Sequence, residues 1–222
     1  MLLTLVIGHK NYSSWSLRPW LLLKHLGLEF REIVVPLYGE GFRGEIAKYS
    51  PAGRVPVLVD GDIHVWDSFA IAEHLAEKTG RGWPREVTAR AQARSVSAEM
   101  HSGFSTLRSQ CPMNVRARGR RVEQTPELKR DVARIDEIWR DCRQRFSHGG
   151  PWLLGDYSIA DAMFAPVVTR FNTFGLEACA ESRAYMQTVL ADPPLEEWFH
   201  AAEAETFRNH ATEAVGLLKT QA

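Results

Sequence analysis

The chain has 222 residues, 45% of them hydrophobic and 24% charged, with 27 basic residues balanced by 27 acidic ones. This composition is typical of globular proteins with a sizeable core, and zero net charge gives no broad electrostatic reason to expect nucleic acid or an anionic membrane as partner. The three cysteines, Cys111, Cys142 and Cys179, form no C-x-x-C pair. We therefore expect no disulfide framework, no metal site and a reduced, cytoplasmic setting.

The first residues alternate strand-like and helix-like patterns. Residues 3–7 and 30–35 are compact apolar or β-branched runs, and they predict two strands. Between them, residues 17–26 follow a helical pattern that Gly27 ends. A strand, a helix and a strand in this order normally form a right-handed parallel crossover. An irregular stretch over residues 38–53 follows.

A hairpin and a helix complete this first half. Residues 57–59 and 63–65 flank Asp60-Gly61, which is a strong hairpin signal. Asp67 then opens a helix that ends at Gly80. The order β-α-β followed by β-β-α predicts a four-stranded mixed sheet with helices on its faces.

Beyond residues 81–86 the sequence predicts helices alone. Leu128, Val132, Ile135, Trp139 and Cys142 recur at spacings of four and three, which is the pattern of a helix with one buried stripe. We expect two domains, an α/β domain over residues 1–81 and an all-helical domain over residues 87–222.

Three serines, Ser13, Ser14 and Ser16, occur close together in HKNYSSWSLRPW, residues 9–20, where a strand gives way to a helix. Serines at a helix start either cap the helix or hold a negatively charged group. We expect Ser16 to be the N-cap, which would leave Ser13 and Ser14 for a ligand.

Three further local patterns have a structural and a functional interpretation. Val55-Pro56 begins a strand, either as an ordinary trans proline or as a cis proline that turns the main chain of Val55 outward to bind an extended peptide. Asp67-Ser68 begins a helix, where the pair either caps it or holds the two ends of an amino-acid zwitterion. The basic cluster at residues 116–121 is either a solvated loop or a nucleic-acid site, and we expect the loop.

Ser158 and Asp161 have the spacing of a capping box, and we expect them to start a core helix.

Together these segments resemble the glutathione transferase superfamily over nearly the whole chain. The resemblance implies a thioredoxin-like α/β domain followed by an all-α domain, with glutathione as co-substrate and no metal. YSSWSLRPW is similar to the loop of the serine-type classes, zeta and theta among them, in which a hydroxyl stabilises the glutathione thiolate. The resemblance leaves the class unassigned, because Trp15 stands where the zeta pattern has cysteine and Arg18-Pro19-Trp20 where it has Arg-Val-Arg.

The resemblance assigns roles to particular residues. Ser13 and Ser14 match the zeta-like serine pair, with Ser13 the preferred thiolate stabiliser. Val55 matches the residue that pairs with the cysteinyl unit, and Arg54 the residue that often reaches the glycine end. The γ-glutamyl group would be held by Asp67 and Ser68. The second substrate is expected to face Met100, His101, Phe104 and Leu107, unless the apolar ones among them are core.

The resemblance implies a homodimeric enzyme for detoxification that conjugates glutathione to small electrophiles, with neither nucleic acid nor a membrane as partner. Two alternatives stay open. One is a glutathione-dependent cis-trans isomerase of the maleylacetoacetate type, for which Arg18 or Arg108 would supply basic side chains. The other is a non-catalytic binding module.

Overall fold

A computed structural model describes residues 2–37 and 41–217. Its sheet has the strand order β2-β1-β3-β4, in which β1 and β2 are parallel and the other neighbours antiparallel. The strands are β1 (Leu3–Ile7), β2 (Phe30–Val34), β3 (Val57–Asp60) and β4 (Ile63–Trp66). The predicted mixed sheet is confirmed. The hairpin turn lies one residue later than expected, since Asp60 still pairs with Ile63.

Three helices accompany the sheet: α1 (Ser14–Leu26), α2 (Phe42–Ala47) and α3 (Ser68–Thr79). Gly27 and Gly80 end α1 and α3 in the left-handed conformation, with φ of 68° and 65°. Glycine adopts this conformation without steric cost, which explains both predicted stops. Helix α2 lies within the stretch expected to be irregular, because its six residues are too few to show a periodic pattern.

The rest of the described chain is helical apart from two isolated β-bridges within residues 152–156. Its helices are α4 (Val87–Ser102), α5 (Ser105–Gln110), α6 (Pro126–Phe146), α7 (Ile159–Phe174), α8 (Ala180–Leu190), α9 (Pro193–Ala204) and α10 (His210–Ala214). An α/β thioredoxin-like part followed by an all-α part is therefore the observed fold class.

Helix α7 is the centre of the second half. Nearly all of its residues are buried, and the side chain of Asp161 accepts hydrogen bonds from the amide of Ser158 (2.8 Å) and from its hydroxyl (2.9 Å). The expected capping box is therefore confirmed. Asp161 also accepts from the amide of Leu153 (3.0 Å), which ties the preceding loop to the helix start.

The two halves share one hydrophobic core, in which α1 packs against α7 and α9. Trp20 of α1 meets Trp198 of α9 edge-on, with ring centroids 5.3 Å apart. Burial of these large aromatic surfaces supplies much of the driving force for holding α1 in place. The start of α1 is thus fixed from both sides, by the sheet and by the helices.

The basic cluster at residues 116–121 is a solvated loop only in part: Arg118 and Arg121 are exposed as expected, but Arg116 and Arg120 are not. The guanidinium of Arg116 donates to the carbonyls of Glu205 (2.8 Å) and Phe207 (3.1 Å) and to the hydroxyl of Tyr12 (2.8 Å). Arg120 is mostly buried beside Glu213. These arginines hold the C-terminal segment against the loop that precedes α1.

Candidate active site

Sheet register brings three of the predicted segments to one edge. Val6 pairs with Val57, and Val57 pairs with Trp66. The chain therefore leaves β1, enters β3 and leaves β4 at the same end of the sheet. The serine loop follows the first of these points, Val55-Pro56 precedes the second, and Asp67-Ser68 follows the third.

Ser13, not Ser16, is the N-cap of α1. Its Oγ accepts from the amide of Ser16 at 3.3 Å and donates to the Oγ of Ser16 at 2.7 Å. The expectation that Ser16 would be the N-cap is wrong, and the Ser13 hydroxyl is hydrogen-bonded within the helix start. The Oγ of Ser16 accepts from the amide of Gly8 at 3.1 Å, and this bond fixes where the helix begins relative to β1.

Ser14 is the first residue of α1, and its hydroxyl does not take part in the hydrogen bonds between Ser13 and Ser16. The Nη2 of Arg170, from the centre of α7, donates to the Oγ of Ser14 at 3.2 Å. Among the described residues, the Ser14 hydroxyl donates to no protein acceptor, so its proton is left for an external group. The amides at the start of α1 add a partial positive charge at this position.

Val55-Pro56 is a cis peptide bond, so the cis alternative is the correct one. Pro56 is buried, Val55 packs against the small apolar cluster that includes Val57, and Arg54 is exposed beside them. Within the described residues, no hydrogen bond involves the main chain of Val55. As far as residues 2–37 and 41–217 go, the main-chain donor and acceptor of Val55 are left for an extended ligand.

Asp67 caps α3 from a backbone conformation with a positive φ of 77°. Its Oδ1 accepts from the amides of Phe69 (2.8 Å) and Ala70 (3.3 Å), and its Oδ2 lies 3.1 Å from Nε2 of His101 in α4. Burial acts to raise the pKa of the Asp67 carboxyl, but the His101 and amide hydrogen bonds outweigh it and hold the pKa below its usual value. Asp67 is therefore an anion that joins the two halves.

Ser68 follows Asp67 and is buried. The Nη1 of Arg18, one turn into α1, donates to its Oγ at 3.4 Å. Two further nitrogens of Arg18, Nε and Nη2, are buried without a hydrogen-bond partner in the described part of the chain. Unpaired buried donors are costly, and this guanidinium has no acidic partner among the described residues, so it adds uncompensated positive charge behind Ser68.

Trp15 faces the second half of the chain. The guanidinium carbons of Arg18 and Arg108 lie 4.4 and 4.8 Å from the centroid of its ring, and His101 meets it edge-on at 5.4 Å. The aromatic ring shields part of a strongly positive region.

Of the residues expected to face a second substrate, Met100 and Leu107 are fully buried and belong to the core. Phe104 is also buried, and His101 is the partner of Asp67. The core interpretation of the apolar residues is therefore correct, and Trp15 and Arg108 border this side of the serine loop instead.

Arg170 was not predicted from the sequence, although one signal was present. It is a basic residue within VVTRF of α7, a run that is otherwise buried and uncharged, and a charge in such a run needs a partner. Arg18 carries the same signal, standing between Leu17 and Leu21 on the buried face of α1.

No cluster of His, Cys, Asp or Glu within residues 2–37 and 41–217 could hold a metal ion. Over the same ranges, no helix is long and apolar enough to cross a membrane.

Comparison with known proteins places these features in a family. Residues 12–78 match the model of the glutathione S-transferase N-terminal domain, and residues 125–201 match that of the C-terminal domain. A zeta-class glutathione S-transferase of Euphorbia esula is 29% identical over 170 residues, which are 72% of this chain and 74% of the relative. Glutathione S-transferase Z1 of Arabidopsis thaliana is 29% identical over 177 residues, or 73% of this chain and 79% of that protein.

The fold also matches solved structures. A glutathione transferase homologue from Burkholderia with bound glutathione has a TM-score of 0.71 at 21% identity, covering 92% of this chain and 100% of that one. At this identity the match supports the fold. Together with the two domain models, it shows that the chain belongs to the glutathione transferase superfamily.

Proposed function

We propose that the protein is a glutathione transferase that conjugates the thiolate of glutathione to small electrophiles. The observation that carries this proposal is the meeting of three segments at one edge of the sheet: the serine loop, the cis Val55-Pro56 bond and the Asp67-Ser68 helix start. Family membership and the glutathione bound in the Burkholderia structure support glutathione as the co-substrate.

The nucleophile in this proposal is the thiol of glutathione, which is only a few per cent ionised near neutral pH when free. We assign the stabilising hydroxyl to Ser14 in preference to Ser13. Ser13 spends its hydroxyl on Ser16, whereas Ser14 accepts from the Arg170 guanidinium and keeps its own proton to donate. A hydrogen bond to the charged form of the sulfur lowers the thiol pKa.

The remaining assignments concern binding. The main chain of Val55 would pair with the cysteinyl unit, and Arg54 would meet the glycine carboxylate. Ser68 would donate to the γ-glutamyl carboxylate, and Asp67 would accept from the γ-glutamyl ammonium. The exposure of Arg54 and the anionic state of Asp67 support these roles.

Two serine variants test the proposal. With 1-chloro-2,4-dinitrobenzene as electrophile, Ser14→Ala should lower kcat/KM by about 100-fold, the typical cost of losing one preorganised donor. Ser13→Ala should keep most of the activity of a folded enzyme. Equal activity of Ser14→Ala and wild type would contradict the assignment. Loss of activity in Ser13→Ala alone would show that Ser13 stabilises the thiolate.

A second candidate is the isomerase of the maleylacetoacetate type. It is supported by the zeta-class relatives and by the two guanidinium groups, Arg18 and Arg108, that flank Trp15. Turnover of maleylacetoacetate faster than any conjugation reaction would make this the principal activity. A non-catalytic module is the remaining alternative, and failure to bind immobilised glutathione or to conjugate it would favour that interpretation.

We also propose a cytoplasmic homodimer with a role in detoxification, as the resemblance implies. Exposed apolar side chains are available for a subunit contact: Ile63 and Trp66 on the edge strand β4, and Val87 at the start of α4. Sedimentation velocity gives the mass in solution, and a single species of 25.1 kDa would contradict the dimer.

A further inference from the structure

Three guanidinium groups are buried around the start of α1. Arg18 and Arg170 are almost completely inaccessible, and Arg108 is partly so. Among the described residues, none of the three forms an ion pair with an acidic side chain. Burial lowers the pKa of Arg170 to about 9, and the positive charge of Arg108 adds to that effect. The region therefore holds positive charge in excess of its own carboxylates.

Arg170 is held rigidly. Its Nε donates to the carbonyl of Cys111 at 2.9 Å and its Nη1 to the carbonyl of Pro166 at 3.1 Å, which leaves Nη2 for the Oγ of Ser14. A planar guanidinium fixed at two points has little freedom to turn its third nitrogen away. Arg170, in the second half of the chain, therefore holds a fixed position against Ser14 in the first half.

The direction of this hydrogen bond is certain, because a guanidinium donates and never accepts. Ser14 must therefore use an oxygen lone pair toward Arg170, and its hydroxyl proton points elsewhere. A hydroxyl that accepts from a cation is also a stronger donor, since hydrogen bonds in a chain polarise one another. Both effects favour an anion in front of Ser14.

Arg18 stands in the same relation to Ser68. Its Nη1 donates to the Ser68 Oγ at 3.4 Å, so that hydroxyl also keeps its proton for an external acceptor. Ser14 and Ser68 begin α1 and α3, where helix amides favour negative charge. Each helix start at this edge of the sheet thus has a serine with a buried arginine behind it.

We propose that Arg170 and Arg18 are positioning residues, which set the hydroxyls of Ser14 and Ser68 as donors to the sulfur and to the γ-glutamyl carboxylate of glutathione. This inference rests on the proposed function. It assigns no contact between either arginine and glutathione, because both act through a serine.

The first experiment measures the pKa of the enzyme-bound thiol directly, by following the ultraviolet absorbance of the thiolate as pH is raised. Arg170→Met should raise this pKa by about one unit, or tenfold in the ionisation constant, and Arg170→Lys should restore part of the shift. The dissociation constant of glutathione at low pH, where the thiol is neutral, should change little. It is measured by quenching of tryptophan fluorescence.

A double-mutant cycle separates positioning from other roles. On a Ser14→Ala background, Arg170→Met should produce no further shift of the thiol pKa. The same shift with and without Ser14 would overturn the proposal, because it would mean that the arginine acts by its charge alone. Circular dichroism and thermal unfolding identify a variant that fails to fold, in which case Arg170→Lys alone is used in the cycle.

Arg108→Met is the matched control. Arg108 carries a charge in the same cluster but donates to the carbonyls of Gly103 and Met100 rather than to a serine. Its replacement should shift the thiol pKa by less than half as much as Arg170→Met. An equal shift would again overturn a role that depends on the Ser14 contact.

The second experiment tests Arg18. The wild-type protein should bind glutathione at least tenfold more tightly than the analogue in which 4-aminobutyrate replaces the γ-glutamyl residue, because that analogue lacks the carboxylate. Arg18→Met should remove most of this preference and leave the thiol pKa unchanged. An Arg18→Met variant that keeps the full preference would overturn the role of Arg18.

Failure of the proposed function is a separate result. A wild-type protein that binds neither glutathione nor the analogue would contradict the proposed function itself.

Discussion

The hydroxyls of Ser13 and Ser16 are bonded to each other, with 2.7 Å between their oxygens. Ser13 also accepts from the amide of Ser16, and Ser16 accepts from the amide of Gly8 just beyond β1. A strand end and a helix start are thus joined through two serines. The pair is a structural unit, and the adjacent Ser14 is the hydroxyl that remains outside it.

Replacement of Ser13 should therefore affect stability first. Ser13→Ala removes an N-cap and should lower the free energy of unfolding by about 1 kcal/mol, within the usual range for caps. Urea unfolding measures this change. Ser95→Ala, which removes an exposed hydroxyl from α4 and no cap, is the matched control and should lose less. A Ser13→Ala protein as stable as wild type would show that the amide of Ser16 finds another acceptor.

The sequence could predict the strands and the long helices because each has a periodic pattern of its own. Helix α6, for example, spans the heptad-like stripe from Leu128 to Phe146. Which of the three serines is the N-cap of α1 could not be predicted from the sequence. Each of Ser13, Ser14 and Ser16 is a good cap, and the decision depends on the bond from Gly8 to Ser16, which is a tertiary contact.

Contacts between residues that are far apart in the sequence could not be predicted either. Arg170 and Ser14 are 156 residues apart, so no local spacing relates them. The sequence places a charged residue in a buried helix and thereby predicts that it has a partner, but it does not identify that partner. The Asp67–Ser68 pair was easier to recognise, since both of its roles, as cap and as ligand, depend on a helix start that is visible in the sequence.

The Asp67–His101 contact leads to a prediction about ligand affinity. His101 lies 3.1 Å from the carboxylate oxygen that does not cap α3, so it competes with any ligand ammonium for that oxygen. His101→Ala should therefore tighten glutathione binding by about two- to fivefold, the range expected for a partly exposed ion pair. Isothermal titration calorimetry measures the dissociation constant.

Asp67→Ala should have the opposite effect and weaken binding. If His101→Ala also weakened binding, the histidine would be supporting the site rather than competing for it. Glu99→Ala is a control on the same helix, because Glu99 pairs with Arg134 on the exposed side of α4 and should leave affinity unchanged.

Glu205 should be important for the loop that precedes α1. Its carboxylate accepts from the amides of Lys10 (2.6 Å) and Asn11 (3.1 Å), which are 195 and 194 residues away in the sequence. Glu205→Ala leaves both amides without their acceptor and should cost about 1–3 kcal/mol of stability. Hydrogen exchange at Lys10 and Asn11 should accelerate. Glu203→Ala, two residues earlier and exposed, is the control that should change neither quantity.

Asp161 predicts a pH dependence of stability with a definite sign. Burial raises the pKa of its carboxyl to about 6, although the amides of Leu153 and Ser158 favour the charged form. In the unfolded chain the pKa is about 3.9. As pH rises from about 4 to 6, the unfolded chain releases the proton before the folded protein does, so this group lowers stability over that window by up to about 3 kcal/mol.

Asp161→Asn tests this sign because its side chain does not titrate. The variant should be less stable than wild type, since an amide offers one acceptor oxygen where the carboxylate offers two. Its stability deficit should nevertheless shrink as pH rises from 4 to 6, because the wild type alone loses stability to ionisation. Urea unfolding at several pH values measures the difference.

Asp156→Asn, an exposed aspartate in the same loop, should show a constant difference from wild type. A deficit that grows with pH for Asp161→Asn would mean that the folded protein binds the proton less tightly than the unfolded chain.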